Sequence, residues 1–559
     1  MNKEKKNRME MFFAFFAGTS CKKAVINVFT RKGYLTLINI LSVIAVSVIL
    51  TGCGNESSVA TPQTGTSETS TTQSNDVHLL AINPAASVYV SAASGNDVNQ
   101  GTKALPLKTI QAGIQKASAL GYKDVLVQAG AYNEVVSIIP GININGGYGA
   151  KWTYSTMNTV TITGGLDASS GQYITLVTKN AATPTTIADV TVIGPTPPAA
   201  TGLSSYAVYA FNANGLTLQN SAIFSGTGAS GADGLNETNA SLTPAPSGAA
   251  GGPAASVFLC NSTLAGAGGA GGVNGTASAA TGGAGGAGGS ADTACFTGLR
   301  FNLAAQPGHA GSNAASFLLP SGIGGAGGAV CTAGGAGADG YTVNGTAGFT
   351  TMATERIAGN FFDPGSGIGG TGGSATGGGG GGGSGGCDSS GNAYGAGGGG
   401  GGAGGLGGAG GSGGQGGGSS FGIFAVSSTM TVTNSHITLG TGGAGGRGGA
   451  GGTGQPGGAG GAGGAGLGAG RALNGGSGGK GGNGGSGGGG GGGLGGNAVG
   501  ILEVNSSVGT TSVTYTGGTA GLGGAGGVSP GNSGASGPNG SFINMRICTG
   551  TTLPYLTCH

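Results

Sequence analysis

Glycine–glycine–small triplets constrain this chain more than any other feature. They run through residues 265–290, 322–340, 365–418, 440–499 and 517–540, as in GGAGGAGGS, GGAGGAGGAG and GGSGGKGGNGG. A period of three fits neither the 3.6 of a helix nor the 2 of a pleated strand. It matches an extended threefold helix of the polyproline II kind, which has three residues per turn and no internal hydrogen bonds. Built from glycine, such helices can lie side by side and bond through their backbones. The other reading of the same composition is a flexible linker. Few serines, almost no charge and a punctual return to apolar runs favour order. Proline is too sparse for a collagen helix, at 18 residues against 139 glycines.

Apolar runs separate the tracts and are alike. SYAVYAFNANGLTLQNSAIFSGTG (205–228) aligns with SFGIFAVSSTMTVTNSHITLGTGG (420–443). VFLCNSTLAGAGG (257–269) and ILEVNSSVGTTSVTYTGG (501–518) are shorter relatives. Each reads strand, turn, strand, Asn-Ser, strand, glycine. The pair recurs at Asn220, Asn261, Asn434 and Asn505, and asparagine tolerates the left-handed backbone that a sharp corner needs. Recurrence of this kind predicts successive units of one repeat architecture.

Nearer the N-terminus, residues 88–148 alternate short apolar runs with Gly, Asn and Pro. Strands are predicted at Val88–Val90, Val125–Val127, Val135–Ile139 and Ile142–Ile144, then in TVTITGG, YITLVT and ADVTVIG. The one convincing helix is Leu107–Leu120, where Ile110, Ile114, Ala117 and Leu120 share a face. An ordered set of short motifs covers about 60 residues here: Tyr89-Val90-Ser91, Gly95-Asn96-Asp97, Gly101-Thr102, Pro106 to Gln111, Ala117, Gly130 to Glu134 and Gly146-Gly147-Tyr148. With these residues the segment resembles the right-handed parallel β-helix proteins of the pectin-lyase-like superfamily, in particular an N-terminal module common in bacterial surface lipoproteins. The resemblance implies an all-β solenoid whose helix plugs the N-terminal end. The glycine tracts resemble the glycine-rich repeats of mycobacterial surface proteins and the polyglycine II bundles of certain phage tails and antifreeze proteins. The expected fold is therefore an all-β, right-handed parallel β-helix with an N-terminal capping helix and polyglycine II-like insertions.

An export signal precedes the module. Residues 35–50, LTLINILSVIAVSVIL, are apolar and follow Arg31 and Lys32. Leu50-Thr51-Gly52-Cys53 then resembles a bacterial lipobox, which implies cleavage between Gly52 and Cys53 and a lipid on Cys53. A plain membrane anchor is the competing reading of the apolar stretch. A Ser/Thr-rich stretch, ESSVATPQTGTSETSTTQSND, follows and reads as a tether with a reach of about 25–30 Å. The expected organisation is signal 1–52, tether 53–80, β-helix module 81–228, glycine repeats with interleaved coils 229–545 and a C-terminal cap 546–559. Loss of the leader leaves 12 basic against 16 acidic residues, a net charge of −4, so nucleic acid is not an expected partner. Gly54 and Asn55, with no aspartate after the cysteine, favour the outer membrane or cell surface over the inner membrane.

Catalytic patterns are thin. The superfamily resemblance makes polysaccharide cleavage the alternative function, but Asp-Asp and Gly-His-Gly pairs are missing, the nearest approach being Gly308-His309-Ala310. Acids beyond residue 160 stand singly, and His78, His309, His436 and His559 are isolated. Trp152 is the only tryptophan, so no sugar-stacking platform is evident. Gly334 to Thr342 fits a calcium-binding nonapeptide with Asp339 as ligand, and Gly228 to Asn236 fits it less well; neither comes in tandem, so Asp339 is only a weak candidate and no cofactor is expected. Six cysteines remain after the leader and Cys53: Cys260, Cys295, Cys331, Cys387, Cys548 and Cys558. In an oxidising compartment they are disulfide candidates, with Cys548–Cys558 the local favourite and the remaining connectivity open. The sequence thus points to a non-enzymatic lipoprotein scaffold, structural or adhesive. Its expected partners are the membrane, through the lipid, and a cell-surface or matrix polysaccharide or protein.

Overall fold

The computed structural model describes residues 82–256, 265–275, 281–291, 293–296, 299–302, 304–315, 322–350, 356–387, 393–468, 471–550 and 557–558. The export signal, Gly52, Cys53, the tether, Cys260, Asn261, His78 and His559 lie outside them. Within them the chain is all-β, with one α-helix, Ile110–Leu120, and a short 3-10 turn, Pro84–Ala86. Three parallel sheets dominate. Sheet A takes Ser87–Val90, Asp124–Gln128, Asn143–Tyr148, Thr185–Ala188, Asn214–Gln219, Thr429–Thr433 and Ser507–Thr511. Sheet B takes Gly130–Asn133, Val160–Thr163, Thr191–Ile193, Ala222–Phe224, His436–Thr441 and Thr514–Thr519. Sheet C takes Val136–Ser137, Gln172–Lys179, Ser205–Phe211, Ser420–Val426, Ala498–Val504 and Phe542–Thr549, with Thr557–Cys558 and Gly165–Asp167 added antiparallel. The chain passes through A, B and C in that repeating order.

Parallel register stacks like residues on like. Val125, Ile144, Ile187, Leu218 and Val432 align in sheet A. Tyr132, Ile162, Val192, Ile223 and Ile437 align in sheet B, and Val136, Leu176, Val208, Ile423 and Ile501 in sheet C. All of them are buried in one cluster, so the three inner faces share a core of mainly β-branched and leucine side chains that suit a pleated surface.

Corners are set by residues with positive φ. Asn180, Asn212, Ser427 and Asn505 leave sheet C at φ 53°, 48°, 49° and 50°. Asp189, Asn220, Asn434 and Ser512 leave sheet A at 55°, 48°, 47° and 52°. Short polar side chains tolerate this region best. The serine after each corner works between rungs: Ser428 Oγ accepts from Ala213 N–H, Ser506 Oγ from Ser428 N–H and Ser435 Oγ from Ser221 N–H. One expectation is corrected here. Asn505 does not share a corner with Asn220 and Asn434; it stacks in the corner of Ser427, because its run has lost the asparagine at the other bend, where Ser512 stands.

The helix begins at Ile110, not at Leu107. Leu107 is drawn into a parallel bridge with Val90, and the helix start is fixed by two carboxylates. Asp97 accepts from Lys108 and Thr109 N–H, and Glu134 from Ile110 and Gln111 N–H, while Thr109 caps Ala112. Gly121 ends the helix at φ 69°. Ile110, Ile114 and Ala117 are buried on the core, and a Cβ on Gly113 would strike Val90 and Val125.

The glycine tracts enter at one place only. The bend from sheet B to sheet C is short in the first rungs and covers 194–204 in the third; it then swells to 225–419, 442–497 and 520–541. Within these insertions the backbone bonds at every third residue. Gly378, Gly381 and Ser384 donate to Gly402, Gly399 and Ala396; Gly379, Gly382 and Gly385 donate to Ala338, Gly335 and Thr332; Gly380, Gly383 and Gly386 donate to Ser312, His309 and Gln306. The carbonyls of the same run accept from three further segments, 283–289, 322–328 and 476–479. Six segments therefore surround 377–386, and each is bonded to the next around the ring. The runs 397–402 and 487–493 are enclosed in the same way.

The reason for uninterrupted glycine follows directly. A Cβ on Gly381, Gly399 or Gly490 would fall inside the contact distance of the carbonyls of Gly476, Gly461 and Ser412. Segments with a solvent side escape that limit once per turn. In 443–465 and 475–483 the outward position falls on every third residue: Ala444, Arg447, Ala459, Ala462, Ala465, Ser477, Lys480 and Asn483 are exposed, and Ala450, Thr453 and Pro456 half-buried.

Candidate functional site

The two aspartates of the nonapeptide matches are spent on backbone amides. Asp339 Oδ1 accepts from Lys480 N–H at 2.7 Å, so this residue caps a glycine segment in the structure. Asp233, in the weaker nonapeptide match, does the same for Arg447 N–H at 2.7 Å. Asn236 and Asn239 continue the row onto Ala450 and Thr453, and Asn344, Asn483, Asn474 and Asn539 cap other segments. These side chains satisfy amides that the edge of the bundle would leave open, as an N-cap residue does for a helix. Among the described residues there is no group of three or more His, Cys, Asp or Glu able to hold a metal ion.

Other singled-out residues have structural partners. Asp167 accepts from Ser169 and Ser170 and lies 3.7 Å from Lys179; despite some desolvation, these partners hold its carboxyl below the usual range. Arg356 and Asp363 pair at 3.3 Å. His309 donates its backbone N–H to Ala287 and accepts from Gly383. His436 lies across the outer face of sheet B, its Nδ1 2.8 Å from Thr514 Oγ1 and its Nε2 2.8 Å from Thr516 Oγ1. Trp152, at φ 60°, packs edge-on against Tyr89 with ring centroids 4.8 Å apart. Glu134 is pushed up by burial, offset by the two helix amides, and Glu503 is pushed up by burial, offset by the Val508 N–H.

Disulfides join Cys331 to Cys387 within the glycine insertion and Cys548 to Cys558 at the end of sheet C. Cys295 lies in the strand Thr293–Phe296.

Sheet C holds an element the sequence reading missed. Its outer face carries Tyr206 beside Phe421 and Tyr209 beside Phe424, with ring centroids 5.3 and 6.0 Å apart in stacked pairs. All four are essentially fully buried. A hairpin of the first insertion, Arg356–Ala358 with Phe361–Asp363, lies over them. Gly359 and Asn360 form its two-residue turn, both with positive φ, as a type I′ turn needs. Phe361 stacks on Tyr209 at 4.6 Å, Tyr206 Oη accepts from Phe362 N–H at 3.1 Å, and Tyr209 Oη donates to the Asn360 carbonyl at 3.3 Å. Burial raises both phenols far above their ordinary value. The signal was in the two aligned repeats, where aromatics recur three apart in SYAVYAF and SFGIFAV. Beside the hairpin, Phe362, Asp363, Leu494, Asn497, Ser541 and Arg546 line a crevice of about 110 Å³.

Sheets A and B are different. Their outward residues, such as Thr217, Thr431 and Thr433 on A and Thr161, Thr163, Thr438 and Thr516 on B, reach solvent to varying degrees. No family model matches the chain, and no curated protein matches it.

Proposed function

We propose that the chain is a surface-displayed, non-enzymatic scaffold, structural or adhesive, tethered by a lipid on Cys53. In this reading the three sheets wind as a right-handed parallel β-helix plugged by the Ile110–Leu120 helix, and the insertions form a polyglycine II-type bundle on its flank. The observation that supports it is the destination of the chain's polar chemistry. Asp233, Asn236, Asn239, Asp339 and Asn344 are committed to backbone amides of the bundle, and Asp97 and Glu134 to the helix start. A bundle whose interior is backbone holds its rim side chains in ranks about 9 Å apart along each segment, a repeating face suited to extended contact. The hairpin over Tyr206 and Tyr209 fastens that bundle to sheet C.

Two experiments test this. Metabolic labelling with an alkynyl fatty acid should mark the wild type and not Cys53→Ser; equal labelling removes the tether. Incubation of the full chain with acidic polysaccharides, followed by absorbance of unsaturated product, should show no turnover, while beads coated with the chain should bind cell-surface or matrix material. Turnover would replace the scaffold with a lyase.

A further inference from the structure

The described chain begins at Ile82, and its first turn, Pro84–Ala86, leads directly into the terminal strand of sheet A, Ser87–Val90. The outer edge of that strand is occupied by backbone of residues 101–107. Tyr89 N–H donates to the Gly101 carbonyl, Leu107 N–H to that of Tyr89, and Ser91 N–H to that of Leu107. The Ile110–Leu120 helix covers the core beside it with Ile110, Ile114 and Ala117. These two segments therefore form the end of the sheets at which the chain enters. Leu105 and Leu120 are left 50% and 48% exposed there. Pro84, Ala85, Lys103, Lys116, Leu120 and Tyr122 line an open concavity of about 440 Å³. Lys108, also exposed, stands where the two segments meet.

Lysines are concentrated at this end. Of the seven among the described residues, five (Lys103, Lys108, Lys116, Lys123 and Lys151) lie at or before residue 151. The acids of the same stretch are Asp97, Asp124 and Glu134, and each is engaged, the first and last by the helix start and Asp124 by Asn143 and Asn145. None of the five lysines forms an ion pair among the described residues, whereas Lys179 pairs with Asp167. Lys480, the seventh, stands alone on the glycine bundle. Unpaired ammonium heads beside half-exposed leucines suit an interface that is anionic at its surface and apolar beneath.

We propose that this end docks on the anionic phospholipid headgroups of the membrane that holds the chain, with Lys103, Lys108 and Lys116 over phosphates and Leu105 and Leu120 at the boundary between headgroups and acyl chains. The inference rests on the Cys53 tether: residues 53–81 join the lipid to this end, with a reach of about 25–30 Å. It deepens that reading, because docking fixes which end of the scaffold faces the membrane. Each lysine close to an anionic surface strengthens binding about fivefold. The competing occupant is the tether itself, which carries Glu56, Glu68 and Asp76.

The test is acetylation footprinting of the full chain, with each lysine read by mass spectrometry. The chain is added from detergent to preformed vesicles of phosphatidylcholine alone, or of equal parts phosphatidylcholine and phosphatidylglycerol. On the anionic vesicles Lys103, Lys108 and Lys116 should react at least about fivefold more slowly than on the neutral ones, and Lys480 at an unchanged rate. High salt should remove the difference. Lys103→Gln with Lys116→Gln should return Lys108 to its rate on neutral vesicles. Equal rates on the two vesicles overturn the proposal, and equal protection on both assigns the lysines to the acidic tether instead. Slowing of Lys480 to the same extent also overturns it, as general adsorption. Protection of the three lysines without fatty acid on Cys53 would remove the tether reading and leave the docking face.

Discussion

The molecule has two cores built on opposite rules. Among the three sheets the interior is side chains: Ile144, Ile162, Leu176 and Ile423 are wholly buried, and the backbone bonds around them. In the glycine bundle the interior is backbone, and 375–387 is buried throughout with hardly a side chain to pack. The first core gains from the transfer of apolar area out of water, about 25 cal/mol per Å². The second has little such area. It is held by hydrogen bonds worth about 1 kcal/mol net each, and by close packing, against the large entropy that glycine loses on ordering. The two cores should fail in opposite ways, the first when side chains shrink and the second when they grow.

The largest effect is expected where the cores meet. Phe424→Ala empties the aromatic ladder under the hairpin and should cost about 3–5 kcal/mol, read as a fall in the denaturant midpoint. The mirror change is Gly381→Ala, which puts a Cβ against the Gly476 carbonyl and parts segments bonded on every side. It should cost about 1–3 kcal/mol from overpacking, more if lattice bonds break, although it adds only a methyl group. A loss under about 0.5 kcal/mol would mean the bundle is not closely packed at its centre.

A smaller effect belongs to Glu503, buried on the strand Ala498–Val504. Burial raises its carboxyl above the ordinary value, only partly offset by Val508 N–H. A raised folded value means stability is fully present below the unfolded value, about 4.3, and declines as pH rises through the folded one. Glu503→Gln should therefore raise the melting temperature at pH 7 and change it little at pH 4. The reverse pattern would show that the carboxylate is favoured in the fold. The smallest effect is Ala287→Ser on the exposed rim, expected within about 0.5 kcal/mol of the wild type.

The two cores were not equally legible. Alternating apolar runs announced the sheets because each side chain reports its own burial, and the Asn-Ser bends announced the corners. Glycine has no side chain to report with, so the triplet period suggested an extended helix but not which segments lie together. The distinction between a run such as 397–402 and a rim such as GGAGGAGG was on the page as the presence or absence of a third residue type. Its meaning depends on how many segments surround each one, which is a property of the assembly. The caps were harder still. Asp339 looks like a metal ligand within its nonapeptide, yet its partner, Lys480, is 141 residues away. The cover of Tyr206 by Phe362 spans 156 residues and needed the same long-range placement.

Hydrogen exchange of the full chain, resolved to peptides, tests the central claim most directly. If the bundle is a backbone core, amides in 377–386, 397–402 and 487–493 should be protected to a degree comparable with Ser420–Val426, and exposed rim amides such as those of Ala459 and Ala462 should exchange fast. Exchange of the three glycine runs at the rate of a free chain, with sheet C still protected, would contradict the account.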